Sequence, residues 1–117
     1  MAKNKRELGK QKESLACELL KMNGYQIIER NYSCRLGEID IIAKDGMYLV
    51  FVEVKYRKNT ASGSGFDAVD DRKQKKIRNT SLYYLTTQKK SIDIPVRYDV
   101  IEIIDRKYRI QKDAFSF

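Results

Sequence analysis

Residues 37 to 57 read GEIDIIAKDGMYLVFVEVKYR. Two apolar runs, EIDIIA (38–43) and YLVFVEVKY (48–56), flank KDGM. Asp-Gly between apolar runs is a strong hairpin signal. The second run is apolar on both faces around its charges, as expected of a central strand. Yet Glu38, Asp40, Glu53 and Lys55 lie inside these strands. Acids form strands poorly and are costly to bury unpaired.

Strand side chains alternate between faces, so Glu38 and Asp40 share one face, and Glu53 and Lys55 share one. A two-residue Asp45-Gly46 turn sets Lys44 against Met47 and Asp40 against Phe51. Asp40 and Glu53 are then diagonal neighbours on one face, roughly 7 Å apart at the backbone. A four-residue turn would set them directly opposite, and a three-residue loop breaks this parity unless a bulge restores it. Two ionised carboxylates so placed repel, and a hard divalent cation with oxygen ligands removes that penalty. Mg²⁺ binds through one or two carboxylates and keeps several waters. A lysine two residues along the strand, Lys55, can orient a water or stabilise charge building on a phosphate. The combination points to phosphodiester hydrolysis, with Asp40, Glu53 and Lys55 as the catalytic residues and Mg²⁺ (or Mn²⁺) as cofactor. The same residues also fit a structural salt-bridge cluster, because the spacing D-x12-E-x-K is loose in a chain that is 34% charged.

Outward from the hairpin, residues 5 to 23 predict a helix, with Leu8, Leu15, Ala16, Leu19 and Leu20 on one apolar face and Gly24 as its stop. YQIIERN (25–31) predicts a strand and YSCRLG (32–37) a loop. RKNTASGSG (57–65) is small, polar and glycine-rich, which predicts a flexible loop. A second helix is expected from Asp70 to Gln88, with acids at its positive N-terminal end. Ile77, Ser81, Tyr84 and Leu85 mark its inner face, and Arg72, Lys75 and Lys76 project from the other side. Pro95 opens a strand over 96–104, and a short last strand follows near Tyr108 to Gln111. The order α-β-β-β-α-β-β predicts an α/β fold, one mixed sheet with helices packed on it, in a single domain of 117 residues.

Composition removes several chemistries. The chain has no histidine, which excludes Ser-His-Asp, Cys-His and HExxH machinery. Cys17 and Cys34 are the only cysteines, too few for a zinc site, and read as reduced thiols, one in a helix and one in a loop. No apolar run is long enough to cross a membrane, and the basic start MAKNKRELGKQKE lacks a signal-peptide core, so the expected compartment is the cytoplasm. The net charge of +8 is clustered in KNKR, KYRK, RKQKKIR and RKYR, which favours a polyanion and above all nucleic acid. Arg57, Arg72, Lys75 and Lys76 are candidate phosphate contacts. No base-reading helix motif is evident, so recognition should rest on phosphates and shape. Asp99, between apolar neighbours in RYDVIEI, reads as a structural ion-pair partner.

RNYSCRLGEIDIIAKDGMYLVFVEVKYR resembles the signature of the YraN-like family of small bacterial proteins. The resemblance extends through GKQKESLACELLKMNGY, RKQKKIRNTSLYYL, VRYDVI and the late AF. That family is similar to archaeal Holliday junction resolvases, within the PD-(D/E)xK nuclease superfamily. The resemblance implies a restriction-endonuclease-like αβββαβ core and a structure-selective DNA endonuclease dependent on Mg²⁺. Branched DNA as partner would favour a homodimer. Asp40, Glu53 and Lys55 fall on the family's Asp, Glu and Lys positions. The implied metal ligands are Asp40, Glu53, the Val54 carbonyl and Glu13 of the first helix. Helical geometry barely separates Glu13 from Glu18, which lie on opposite borders of the apolar face, and a solvated glutamate is the other reading of Glu13. Lys12 stands where the family usually has a small residue, and Ser33 where a basic one is common. A non-catalytic DNA-binding module on a nuclease fold is the alternative to the enzyme.

Overall fold

The structure, a computed structural model, describes residues 5–57, 69–88 and 93–116, with side chains from residue 11 onward. Its elements are α1 (Lys5–Met22), β1 (Gln26–Cys34), β2 (Gly37–Asp45), β3 (Tyr48–Arg57), α2 (Asp71–Thr87), β4 (Val96–Ile104) and β5 (Lys107–Phe115). The strands form one sheet in the order β1-β2-β3-β4-β5. Only β3 and β4, joined through α2, run parallel; the other neighbours are antiparallel. This is the expected α/β architecture, a central mixed sheet with flanking helices compatible with a restriction-endonuclease-like core. The glycine-rich loop expected over 57–65 lies, from residue 58 on, outside the described residues, as does the side chain of Leu8.

Each helix buries one stripe against one face of the sheet. Ala16, Cys17 and Leu20 of α1 pack with Tyr25, Ile41, Ala43, Val50, Val52, Ile101 and Ile103. Ile77, Tyr84 and Leu85 of α2 pack with Ile39, Ile42, Phe51, Tyr98 and Val100. Leu15, expected on the inner face, is 44% exposed, and Cys17 takes its place in the core. The buried stripe of α1 is therefore narrower than the run of leucines implies. Gly24, at φ +90, ends the helix. The N–H of Tyr25 reaches the Leu20 carbonyl and that of Gly24 the Lys21 carbonyl, which is the Schellman arrangement. The side chain of Asp70 caps α2 by accepting the N–H of Lys73 at 2.8 Å.

Two strand expectations are corrected. β1 continues through Tyr32–Cys34, so only Arg35 and Leu36 remain as a turn and Cys34 sits at a strand end. The Tyr32 ring lies edge-on to Tyr84, which gives this extension its anchor on α2. β5 runs to Phe115 rather than Gln111, because Phe115 stacks on Tyr98 at 5.0 Å.

The hairpin register also differs from the expectation. Asp45 opposes Tyr48 and Lys44 opposes Leu49, so the two-residue turn is Gly46-Met47. Gly46 has φ +62 at the first turn position, as a type II′ turn requires. Asp45 is held in the strand instead of the turn because Arg97 and Lys112 donate to its carboxylate at 2.7 and 3.0 Å.

The alternation of faces breaks once along β2. Ile39 belongs to the core under α2, whereas Ile41 belongs to the core under α1. The neighbouring β1 changes with it: Arg30 donates to Ser14 of α1, while Tyr32 lies against Tyr84 of α2. Between them Asn31 adopts φ +56, a left-handed conformation that asparagine tolerates better than most residues. The pairing passes from Arg30↔Ile41 to Tyr32↔Ile39, so Asn31 and Asp40 occupy the step where both strands turn over.

A carboxylate pair where two strands part

Asp40 stands at that step. The ladder between β2 and β3 runs from Asp45↔Tyr48 to Ile41↔Val52. Extended by one residue it would set Asp40 directly against Glu53. In place of a further backbone bond, Asp40 Oδ2 accepts the N–H of Val54 at 2.8 Å. The side chain thus fills the gap between the parting strands, and the bond fixes the direction of its other oxygen.

Glu53 follows Phe51 on the α2 face of β3 and is only 8% exposed. Burial pushes its carboxyl up to about 7, and the charge of Asp40 adds to the rise. Burial also raises Asp40, with Glu13 and Glu38 pushing the same way. The Val54 N–H and Lys73 oppose the rise at Asp40. Lys73 and Lys55 oppose it at Glu53. A buried Glu53 and a half-buried Asp40 therefore disfavour each other's charge, and two lysines offset part of the cost.

Among the described residues, no three or more His, Cys, Asp or Glu side chains gather closely enough to form a metal group. Glu13 is half-buried and within electrostatic reach of Asp40, yet it does not close such a group. Glu18 is exposed and pairs with Lys21 at 3.3 Å. The donor set is thus two oxygen-bearing acids beside a main chain. This suits Mg²⁺, which takes few protein ligands and completes its shell with water and phosphate, and does not suit an all-protein cage.

Lys73 is the site residue the sequence reading missed. Its Nζ lies 3.7 Å from Glu53 Oε1. The signal was present: Lys73 is one turn before Ile77, on the line that runs on through Thr80, Ser81 and Tyr84 into the core. In the sequence it is masked by the basic run RKQKKIR.

Other expected residues separate from this pair. Arg72, Lys75 and Lys76 are exposed on α2, but Lys76 borders Gly37 and Glu38 of β2 rather than projecting from the outer side. Arg57 is held by Glu102, with Nε 3.1 Å from Oε2. Glu102 is fully buried and also takes Arg109 at 3.1 Å. In the register of the parallel strands, Glu102 lies beside Lys55. Lys12 places its ammonium 4.1 Å from the centre of the Tyr56 ring, a cation–π contact that ties α1 to β3.

Asp99 belongs to a separate, saturated network. It accepts from Tyr25 at 2.6 Å, from Arg97 at 2.7 and 2.9 Å, and from the N–H of Asp113 at 2.9 Å. Arg97 bridges on to Asp45 at 2.7 Å. This arrangement has the character of a structural link between β2, β4 and β5. Tyr84 is buried among Phe51 and Tyr32, in a packing role.

The fold and this edge define a class: α/β proteins whose mixed sheet carries a largely shielded acidic pair where two central strands part. The model of the family described as "Uncharacterised protein family UPF0102" matches residues 12–103. The chain is 46% identical to a UPF0102 protein of Lachnoclostridium phytofermentans, over 97% of this chain and 96% of that one. It is 45% identical to one of Thermodesulfovibrio yellowstonii, over 93% and 96%. A Legionella pneumophila relative is 41% identical, over 94% and 95%. The chain belongs to the UPF0102 family, the YraN-like group its central motif resembles.

Proposed function

We propose that this chain is a structure-selective DNA endonuclease that hydrolyses phosphodiesters with the help of Mg²⁺ or Mn²⁺. The observation that carries the reading is Asp40, oriented by the Val54 N–H and set against a buried Glu53 whose carboxyl is raised to about 7. Setting a buried glutamate beside a second, half-buried acid that repels it costs stability, and a cation site is a use that justifies the cost.

Asp40 and Glu53 would hold the cation, with the Val54 carbonyl beside them. The cation would supply Lewis-acid stabilisation of the charge that builds on the phosphate. Lys55, on the face of Glu53, orients the attacking water or balances that charge. The exposed Arg72, Lys75 and Lys76 contact phosphates further along the nucleic acid. Recognition through phosphates and shape suits branched DNA better than a particular sequence.

The test is a cleavage assay on four-way, flapped and linear DNA with Mg²⁺ and with Mn²⁺. Cleavage of at least one branched form supports the reading. Normal DNA binding with no cleavage of any substrate would favour the non-catalytic module.

A further inference from the structure

Lys73 is placed against local preference. It occupies the third position of α2, where the helix end is already positive and a cation is disfavoured. A residue that breaks a local rule calls for a compensating role. Its backbone is fixed, because its N–H is held by Asp70 at 2.8 Å. Its side chain is 42% exposed and its ammonium meets Glu53 at 3.7 Å, an ion pair longer than a close hydrogen bond. Both Asp40 and Glu53 feel its charge. A flexible four-carbon stem on a fixed backbone can move its charge by several ångströms without moving the fold.

The charge balance gives that freedom a direction. When both acids are ionised they carry two negative charges, and Lys73 beside Glu53, together with Lys55, offsets much of that charge without metal. A divalent cation makes Lys73 superfluous beside Glu53 and repels it. The phosphate of a bound nucleic acid is then an available counter-charge in the site itself, beside the acids of the first turn of α2. We propose that Lys73 is a resident counter-cation: it neutralises the carboxylate pair in the metal-free protein, competes with the divalent ion for Glu53, and passes to the substrate phosphate when that ion is present. This inference rests on the metal-dependent reading above and adds a positioning residue and an order of events to it.

Two measurements on the full chain test it, and neither uses turnover. The first titrates Mn²⁺ alone by calorimetry into the wild type, Lys73→Met, Lys73→Arg and Asp40→Asn. Removing a competing charge should tighten Mn²⁺ binding about fivefold in Lys73→Met. Lys73→Arg should stay close to the wild type. The second measures binding of branched DNA in Ca²⁺ across salt concentrations. Lys73→Met should bind more weakly, with a log–log salt slope shallower by about 0.9, the loss of one phosphate contact. A purely structural ion pair would leave Mn²⁺ affinity unchanged or weaker and the slope unaltered, and either result overturns the proposal. If the wild type and Asp40→Asn both bind no Mn²⁺, the metal-dependent reading itself falls and the inference falls with it. If the wild type binds Mn²⁺ and only the Lys73 effects are missing, the metal reading stands and this inference alone is lost.

Discussion

Glu53→Gln should make the metal-free protein more stable at pH 8. Burial and the Asp40 charge raise the Glu53 carboxyl from 4.5 to about 7, a rise of roughly 2.5 units. The folded state therefore holds a proton more tightly than the unfolded one. The associated stability is fully present below pH 4.5 and is lost as pH rises through about 7. At about 1.4 kcal/mol per pH unit, the ionised form costs up to roughly 3–4 kcal/mol at pH 8. Relaxation around a coupled pair lowers this, so about 1–3 kcal/mol is the working range. Glutamine keeps the size of Glu53 and removes the charge. For a chain of this length, Tm should rise by about 5–10 °C at pH 8. At pH 4.5 and below, where wild-type Glu53 is protonated, the two proteins should melt within about 2 °C of each other. The assay is circular-dichroism melting in chelator from pH 4.5 to 8. Comparing variants at each pH cancels the titration of groups remote from Glu53, and leaves that of Glu53 together with its effect on Asp40. An equal or lower Tm for Glu53→Gln at pH 8 would refute the reasoning. So would a gain that does not change with pH.

Asp99→Ala should behave in the opposite way and independently of metal. It would leave Arg97 nearly buried without its main partner, at a cost of about 3–5 kcal/mol, read by urea denaturation at pH 7. A loss below 1 kcal/mol would show that the network is not structural. The double change Lys75→Ala, Lys76→Ala should leave the melt unchanged, since both side chains are exposed. It should make the salt slope of DNA binding shallower by about 1.8, and an unchanged slope would remove these two lysines from the interface.

Much of the fold was legible because its signals are local. Periodicity, Gly24 and Asp70 marked the ends of the helices, and β4 is bounded as its apolar run suggests. Alternation predicts Asp40 and Glu53 as diagonal neighbours, whereas the observed register, extended by one residue, sets them opposite each other. The hairpin turns at Gly46-Met47, so the register is shifted from the Asp-Gly expectation. What draws Asp45 out of the turn is Arg97, which is 52 residues away in sequence. The switch of faces at Asp40 depends equally on a non-local fact, the left-handed Asn31 on the adjacent strand. Neither can be read from a two-residue period. The buried Glu102, held by Arg57 and Arg109, was hidden for the same reason: its partners lie on two other strand positions. Lys73 was legible in principle, by carrying the inner line of α2 back one turn from Ile77.

Asp40→Asn tests most directly whether Asp40 and Glu53 form a cation site that cuts DNA. The substitution keeps the hydrogen bond to the Val54 N–H and removes one ligand charge. Single-turnover cleavage of a branched substrate in Mg²⁺ should fall by about 100-fold or more, with DNA binding in Ca²⁺ kept or slightly tighter. Cleavage by Asp40→Asn at the wild-type rate would contradict the account.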